Sequence, residues 1–506
     1  MKKLLFLSLC FVITSTIFAQ NIDLLKTQNP WLSRGNVSTT AIGQDDDNNY
    51  LYVSYKFGKN NLDYIYTINK ETLEKSAINI LTQKQDYLLN AINTPNNIIA
   101  LYRSTTKKGD FVTFSIANIE KGIAKYTHSN TNSITTNANT KFWPEYKTAK
   151  SPNEKYMAAL VMVTGKKSLL ENLYAVVVNN EGEFVWQSPI TPSFKGTSFA
   201  LGNIAVDNNG NLFIPAYSCN LKGDKVYDVQ FQVIMANGNE TRTFTTDENF
   251  GKPQNFFAKV LKDGQIAIGG YFTNTYENTM TKSNGYFLIK FNSESENFSK
   301  LLSYDFSSNY AQKKAPAMLS NILGNQQYSI NADNILELEN GGLVLLGEHR
   351  FIKKIRDAQG FITYQILTKN TLISTIMPDE TSKFSMIQKQ QMAAHTFIPD
   401  EWKNFYISYS AFVNNNDVYV MFNDHNNNIP YPGKGVVCGI SGLKFNKPGE
   451  MVLMKLSPDQ EITQMILPDK KNQLMRSLEF VDNDNFYVSG LNSIGVTFNK
   501  FSISND

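Results

Sequence analysis

The chain has 506 residues, 42% of them hydrophobic, with 48 Lys and Arg against 45 Asp and Glu. A net charge of +3 with no basic stripe argues against a nucleic-acid partner. The length would suggest about three domains, a prior that repeat folds break.

In chain order, the sequence opens on Met1-Lys2-Lys3, an apolar run from Leu4 to Ile13, and then Thr14-Ser15-Thr16-Ile17-Phe18-Ala19-Gln20. A basic start, a short apolar run and a small residue before a polar stretch predict a secretory signal peptide over 1–19, cleaved after Ala19. The run is too short for a transmembrane helix, which needs about 20 apolar residues, and no later stretch is long enough. Cys10 follows Leu9, where a lipoprotein signal wants a small residue, so lipidation is not expected. The expectation is a single exported domain over 20–506, periplasmic or extracellular. Cys219 and Cys438 then remain, and an even count in an exported chain allows one disulfide between them. Two unpaired thiols are the alternative.

From there on, short β-branched and aliphatic runs alternate with Asn, Asp and Gly turns. The clearest example is Ile335–Gly347, read as a strand, an Asn340-Gly341-Gly342 turn and a second strand. Two-residue hairpin connections need positive φ, which Asn-Gly and Gly-Gly supply at little steric cost. Val206–Ile214 and Leu261–Gly270 are close relatives, and Val481–Gly490 is a more degenerate one. The residues just after each turn are Tyr50, Ile98, Tyr156, Leu212, Ile266, Leu343, Val418 and Phe486, roughly 50 to 75 residues apart. Eight units therefore fill the chain.

Unit three reads as strands over Tyr156–Thr164, Leu173–Asn179 and Phe184–Gln187. Unit four reads as Asn203–Val206, Leu212–Ala216, Tyr227–Met235 and Thr241–Thr245, with Asn237-Gly238 as its last turn. Helical character is confined to Met386–Trp402, where Gln-Lys-Gln-Gln-Met-Ala-Ala suggests a short helix. Antiparallel sheets repeated eight times bury both faces by packing radially around a channel. The prediction is an all-β protein, a β-propeller of about eight four-stranded blades, or seven if units one and eight share a blade. The last unit has room for only three strands. An N-terminal strand within Asn21–Thr27 or Val37–Ile42 is expected to supply the fourth and close the ring.

The recurring Asp-x-x-Gly-x-hydrophobic-x-hydrophobic-x-Gly pattern covers most of 38–503 and resembles that of exported bacterial β-propeller repeat proteins. The Phe18-Ala19-Gln20 ending and the Asn, Lys, Tyr and Phe usage are similar to exported proteins of Bacteroidetes-type bacteria. The resemblance implies architecture alone, since propellers host both enzymes and binding modules. The Ser-x-Asp-x-Gly-x-Thr-Trp box of sialidase-like propellers and the Trp-Asp signature of WD40 repeats are absent from the sequence.

Connections after the second strand of each unit are long and irregular, as in 104–110, 165–172, 218–225, 272–285, 348–360 and 423–445, whereas the opposite turns are short. Binding concentrates in long loops on a rigid scaffold, so one working face is expected. Glu348-His349-Arg350 and Asp424-His425 end the second strands of units six and seven at equivalent places on it. A histidine with a carboxylate can hold a divalent metal or act as general acid and base. Arg350 suits a carboxylate or sulfate. Against a shared site, adjacent residues of a strand point to opposite faces, and no metal-binding motif is present.

Tyr271, Tyr276 and Tyr431 lie in or beside the long loops and are the aromatic candidates for ligand contact. The remaining aromatics are assigned to packing between blades. The first reading is an exported, non-enzymatic propeller that binds an envelope protein or a glycan through its long-loop face, with no cofactor. The second is a hydrolase or lyase with a central site of Glu348, His349, Asp424 and His425, with or without a divalent metal on His349 and His425. The third is a structural propeller in a larger envelope complex, which would expose an apolar patch. An enzyme requires those side chains to converge on one point; a binder requires only a continuous surface.

Overall fold

The computed structural model describes residues 22–27, 36–57, 60–80, 86–105, 112–121, 127–134, 145–164, 170–191, 198–222, 225–238, 240–246, 251–273, 283–299, 301–306, 329–356, 360, 362–389, 391–395, 408–425, 440–441, 449–467, 474–491 and 496–503. Eight separate sheets follow one another along the chain and stand in a ring as propeller blades. Units one and eight form separate blades.

Blade 1 comprises Asn36–Gln44, Asn48–Phe57, Asn60–Asn69 and Lys75–Ile80. Blade 2 comprises Asp86–Asn93, Asn97–Thr105, Val112–Glu120 and Thr127–Ile134. Blade 3 comprises Glu145–Lys150, Tyr156–Thr164, Leu170–Asn179 and Phe184–Ile190. In blade 4 the first strand is split into Ser198–Leu201 and Ala205–Val206, followed by Leu212–Lys222, Lys225–Ala236 and Thr241–Thr246. Blade 5 has Lys252–Val260, Ile266–Thr273 and Gly285–Asn292, with the outer segments Asn297–Phe298 and Leu302–Asp305.

Blade 6 has Ser329–Glu337, Leu343–Arg356 and Ile362–Ile376, with two outer segments, Ser382–Ile387 and Gln391–His395. Blade 7 has Tyr409–Asn414, Asp417–His425, Gly449–Leu456 and Ile462–Ile466. Blade 8 has Leu474–Asp482, Asn485–Leu491 and Val496–Ile503, and Ile22–Thr27 from the other end of the chain pairs antiparallel with the last of these. Val37–Ile42, the other candidate for that role, lies in the first strand of blade 1. First strands of neighbouring blades adjoin one another, so they form the inner wall.

The expected helix over Met386–Trp402 does not form where it is described. Ser382–Ile387 and Gln391–His395 both pair with Ile362–Ile376, and 396–402 lie outside the described residues. Helix propensity is a weak prior. Here the open edge of the third strand offers backbone partners along its whole length.

The turns also differ from the two-residue expectation. Leu338 and Gly342 close a three-residue loop, and Gly341 takes a φ of +82°. The Asp207–Asn211 and Leu261–Gln265 loops repeat it, with Gly210 at +81° and Gly264 at +82°. One left-handed residue after a tight turn is the three-residue hairpin geometry. A side-chain oxygen completes each loop: Gly342 N donates to Asn340 Oδ1 at 2.9 Å, and Asn211 N to Asp207 Oδ1 at 2.9 Å. Two-residue loops occur in blades 7 and 8, where Asn414 pairs with Asp417 and Asp482 with Asn485.

The core is divided among the seams. Each pair of neighbouring blades has its own apolar cluster, and that between blades 8 and 1 joins Phe480, Tyr487 and Phe498 to Leu51, Val53 and Tyr66. Polar contacts accompany that seam: Thr39 Oγ1 donates to Glu479 at 2.8 Å, and Lys70 pairs with Asp482 at 2.7 Å.

Two glycines test this packing. A methyl group on Gly347 would come within 2.3 Å of the Tyr271 ring across the blade 5–6 seam, whereas one on Gly341 would meet open space. Gly341→Ala should therefore cost about 1 kcal/mol through its backbone conformation alone. Gly347→Ala should cost about 1–3 kcal/mol through overpacking. Urea unfolding measures both, and an unchanged midpoint for Gly347→Ala would contradict the close approach of these blades.

Candidate functional site

The residues singled out on blade 6 lie at the long-loop end of its second strand, Leu343–Arg356. Leu343 and Leu345 pack toward blade 5, and Val344 and Leu346 toward blade 7. Continued alternation turns Gly347 and His349 to blade 5 and Glu348 and Arg350 to blade 7. A register shift in the first strand between Ala332 and Asn334 makes Asp333 the extra residue of a bulge. A second shift between Glu348 and Arg350 places the surplus residue on the third strand, between Thr368 and Thr371.

These irregularities gather charge in the blade 6–7 seam. Glu348 is wholly buried and accepts from Lys389 Nζ, from Arg350 Nε at 2.7 Å and from Ser408 Oγ at 2.8 Å. Arg350 also pairs with Asp333 at 2.7 Å and donates to Ser408 Oγ at 3.0 Å. Lys389, equally buried, donates to Gln391 Oε1 at 3.0 Å and Thr368 Oγ1 at 3.3 Å. Gln391 donates in turn to the backbone oxygen of Asn423 on blade 7 at 2.8 Å and accepts from Ser408 N at 2.7 Å. Two cations and two carboxylates thus form an internally neutral cluster that ties blade 6 to blade 7.

The electrostatics follow from burial. Burial alone would raise the Glu348 pKa, but Lys389 and Arg350 outweigh it and hold the carboxyl below its ordinary value. Burial pulls Lys389 down, opposed by Glu348. Asp333 is pushed up to about 6 by burial, reinforced by Glu348 and only partly opposed by Arg350. His349, on the blade 5 side, is pulled down to about 4 by burial and then by Lys369.

The other residues named from the sequence are dispersed. Asp424 is buried and follows Val420 and Phe422 in alternation, so it faces blade 6. His425 is described by its backbone, in register with Gly449. Glu348 and Asp424 therefore share a seam, while His349 faces the neighbouring one. Tyr271 is fully buried in the blade 5–6 seam, against Gly347 and Phe306 and beside Ser374, with no face open to a ligand. Cys219 is buried in the blade 4–5 seam. Tyr276, Tyr431 and Cys438 lie outside the described residues.

Asp333, Lys389, Gln391 and Ser408 belong to the cluster without having been apparent in the sequence. Lys389 sits in a Gln- and Lys-rich stretch that reads as solvated helix. Among the described residues, no group of three or more His, Cys, Asp or Glu side chains converges to hold a metal.

No protein-family model matches the chain, and no curated protein matches it. Solved structures do. The propeller of Dos1 is 8% identical over 94% of this chain and 95% of that one, with a TM-score of 0.43. The polysaccharide lyase Uly1 is 11% identical over 93% and 90%, with a TM-score of 0.39. An oligogalacturonate lyase in complex with manganese is 8% identical over 96% and 97%, with a TM-score of 0.37. The chain is a β-propeller. Its own eight sheets make it one; at TM-scores of 0.37 to 0.43 the likenesses add no argument to that.

Two outcomes are expected of the cluster. Lys389→Met leaves Glu348 short of a partner and should destabilise the protein by about 3–5 kcal/mol. Lys389→Met/Glu348→Gln should cost less than Lys389→Met alone, as measured by chemical unfolding. The second concerns pH. Unfolded His349 protonates near pH 6.5 and the folded residue only near 4. Its contribution is therefore present above about pH 6.5 and lost as pH falls toward 4. The stability of the parent relative to His349→Gln should fall by about 3 kcal/mol over that window, at about 1.4 kcal/mol per pKa unit. A pH-independent difference would contradict a buried, neutral imidazole.

Proposed function

We propose that this is an exported propeller that holds a protein or glycan partner at the cell envelope on its long-loop face, without chemically altering it. The observation that carries this reading is the engagement of the blade 6–7 charges with one another. A hydrolase or lyase needs an acid and a base facing one open point. Glu348 instead accepts three donors inside a sealed seam, and His349 faces the adjacent seam.

A second feature supports a contact surface. The second and third strands of blade 6 run to 14 and 15 residues. Their pairing continues past Arg350↔Thr368 to Arg356↔Ile362, about 20 Å of hairpin at 3.3 Å per residue. Gln391–His395 pairs along this arm, and Ile440–Ser441, from the second-to-third-strand connection of blade 7, adds a parallel strand to it. The ion cluster lies at the root of the arm and fixes it to the ring. Export is supported by the N-terminal sequence pattern.

The test replaces 353–365 with a two-residue Asn-Gly turn. Both forms are then passed over envelope extract and a glycan array, and any retained molecule is weighed before and after exposure. The expected result is a ligand held by the parent, lost by the shortened form and unchanged in mass. A ligand cleaved by the parent would replace this reading with an enzymatic one.

A further inference from the structure

Tyr87 and Val185 are the large apolar side chains exposed among the described residues, and Tyr87 is 46% exposed. Tyr87 lies near the start of the first strand of blade 2, on the inner wall and at the long-loop end. Directly opposite it in register is Arg103, near the end of the second strand. Ile99 and Leu101, which precede Arg103 in alternation, pack toward blade 3, and Tyr146 of the first strand of blade 3 packs against the same cluster. The three side chains meet at the inner mouth of the blade 2–3 seam. The Arg103 guanidinium carbon lies 4.6 Å from the centroid of the Tyr87 ring and 4.1 Å from that of Tyr146.

Arg103 contrasts with Arg350. Both sit near the long-loop end of a second strand, facing the next blade. Arg350 is paired with two carboxylates. For Arg103, no carboxylate among the described residues lies within ion-pairing distance; its charge rests on two aromatic rings. The N–H donors of a guanidinium lie in its plane and match a carboxylate in bidentate fashion, and Tyr146 is the polar neighbour already beside those of Arg103. Ring contact also fixes the orientation of the fork before a ligand arrives. The exposed Tyr87 ring beside it is a flat apolar surface of the kind that covers the C–H face of a pyranose.

We propose that Tyr87, Arg103 and Tyr146 form a subsite for an acidic saccharide, in which Arg103 takes a uronate carboxylate and Tyr87 stacks against the sugar ring that bears it. This names a ligand class for the long-loop face and rests on the reading of that face as a binding surface. An aspartate or glutamate of a protein would satisfy Arg103 but leave the Tyr87 ring uncovered, which is why the saccharide is favoured.

Titration calorimetry of the mature protein tests this with three probes: a four-residue oligouronate, its fully methyl-esterified form and a tetraglutamate peptide. The oligouronate should bind, and the other two should bind at least about tenfold more weakly. Arg103→Met should weaken oligouronate binding at least about tenfold, and Arg103→Lys about three- to tenfold, because an ammonium keeps the charge without the fork. Tyr87→Ala should weaken it about fivefold with an unchanged thermal midpoint. Equal binding of the ester, or parent-like affinity of Arg103→Met, overturns the subsite. Preference for the peptide overturns the saccharide and assigns the carboxylate to a protein partner. Failure of all three probes while the arm-dependent ligand is still retained overturns the subsite alone. Shortening of the oligouronate by the parent overturns the non-enzymatic reading and leaves the subsite standing.

Discussion

Every blade must bury both faces of its sheet against a neighbour, and the rest of the molecule depends on that constraint. A sheet with one wet face alternates apolar and polar residues; a sheet between two neighbours cannot. Ile266–Thr273 in blade 5 is buried at every position. Aromatic side chains fill much of the wedge, as where Phe231 packs edge-on to Phe256 and Phe287 between blades 4 and 5. Small residues appear where the sheets approach most closely: Gly347 leaves room for Tyr271.

Polar groups enter this apolar ring under a condition, which is that hydrogen-bond or ion-pair partners from their own or the next blade complete them. The bulges of the first strands are where several enter. Asp333 in blade 6 meets Arg350; Gln254 in blade 5 accepts from Ser283; Glu479 in blade 8 accepts from Thr39 of blade 1 and Ser489. A bulge inserts a residue and re-aims its side chain, so the seam receives a carboxylate or amide that strict alternation would not place there. The Glu348 cluster is the most elaborate instance. Its four charges cancel locally, and its members come from four segments of blade 6 and the start of blade 7.

The repeat was legible because its signal is local. Asn, Asp and Gly at the turns carry their own backbone chemistry, and eight such turns count eight blades. Strand locations followed from the same punctuation. Loop length was less legible, because the same Asn-Gly pair suits a two-residue and a three-residue hairpin; the closing pair, Leu338 with Gly342, is decided by the register of the flanking strands. The site was legible only in part. Glu348 and Arg350 stood out as charges at a strand end, but their partner Lys389 did not, since Gln388-Lys389-Gln390-Gln391 has the composition of a solvated helix. What distinguishes it is the free edge of Ile362–Ile376, a tertiary fact. Sidedness was likewise hidden: with both faces buried, nothing in Leu346-Gly347-Glu348-His349 says which neighbour each residue meets.

The pairing of Ile22–Thr27 with Val496–Ile503 has a consequence for the order of assembly. The main strands of each of blades 1 to 7 come from one contiguous stretch and can form in sequence as the chain emerges. Blade 8 joins Ile22–Thr27 to Val496–Ile503, so that pairing must wait until the intervening blades have been made. Closing so large a loop is the slowest kind of contact to make. Until it is made, Ile22–Thr27 is an exposed strand in search of an edge. Pairing with Val496–Ile503 is therefore also the event that covers this exposed strand.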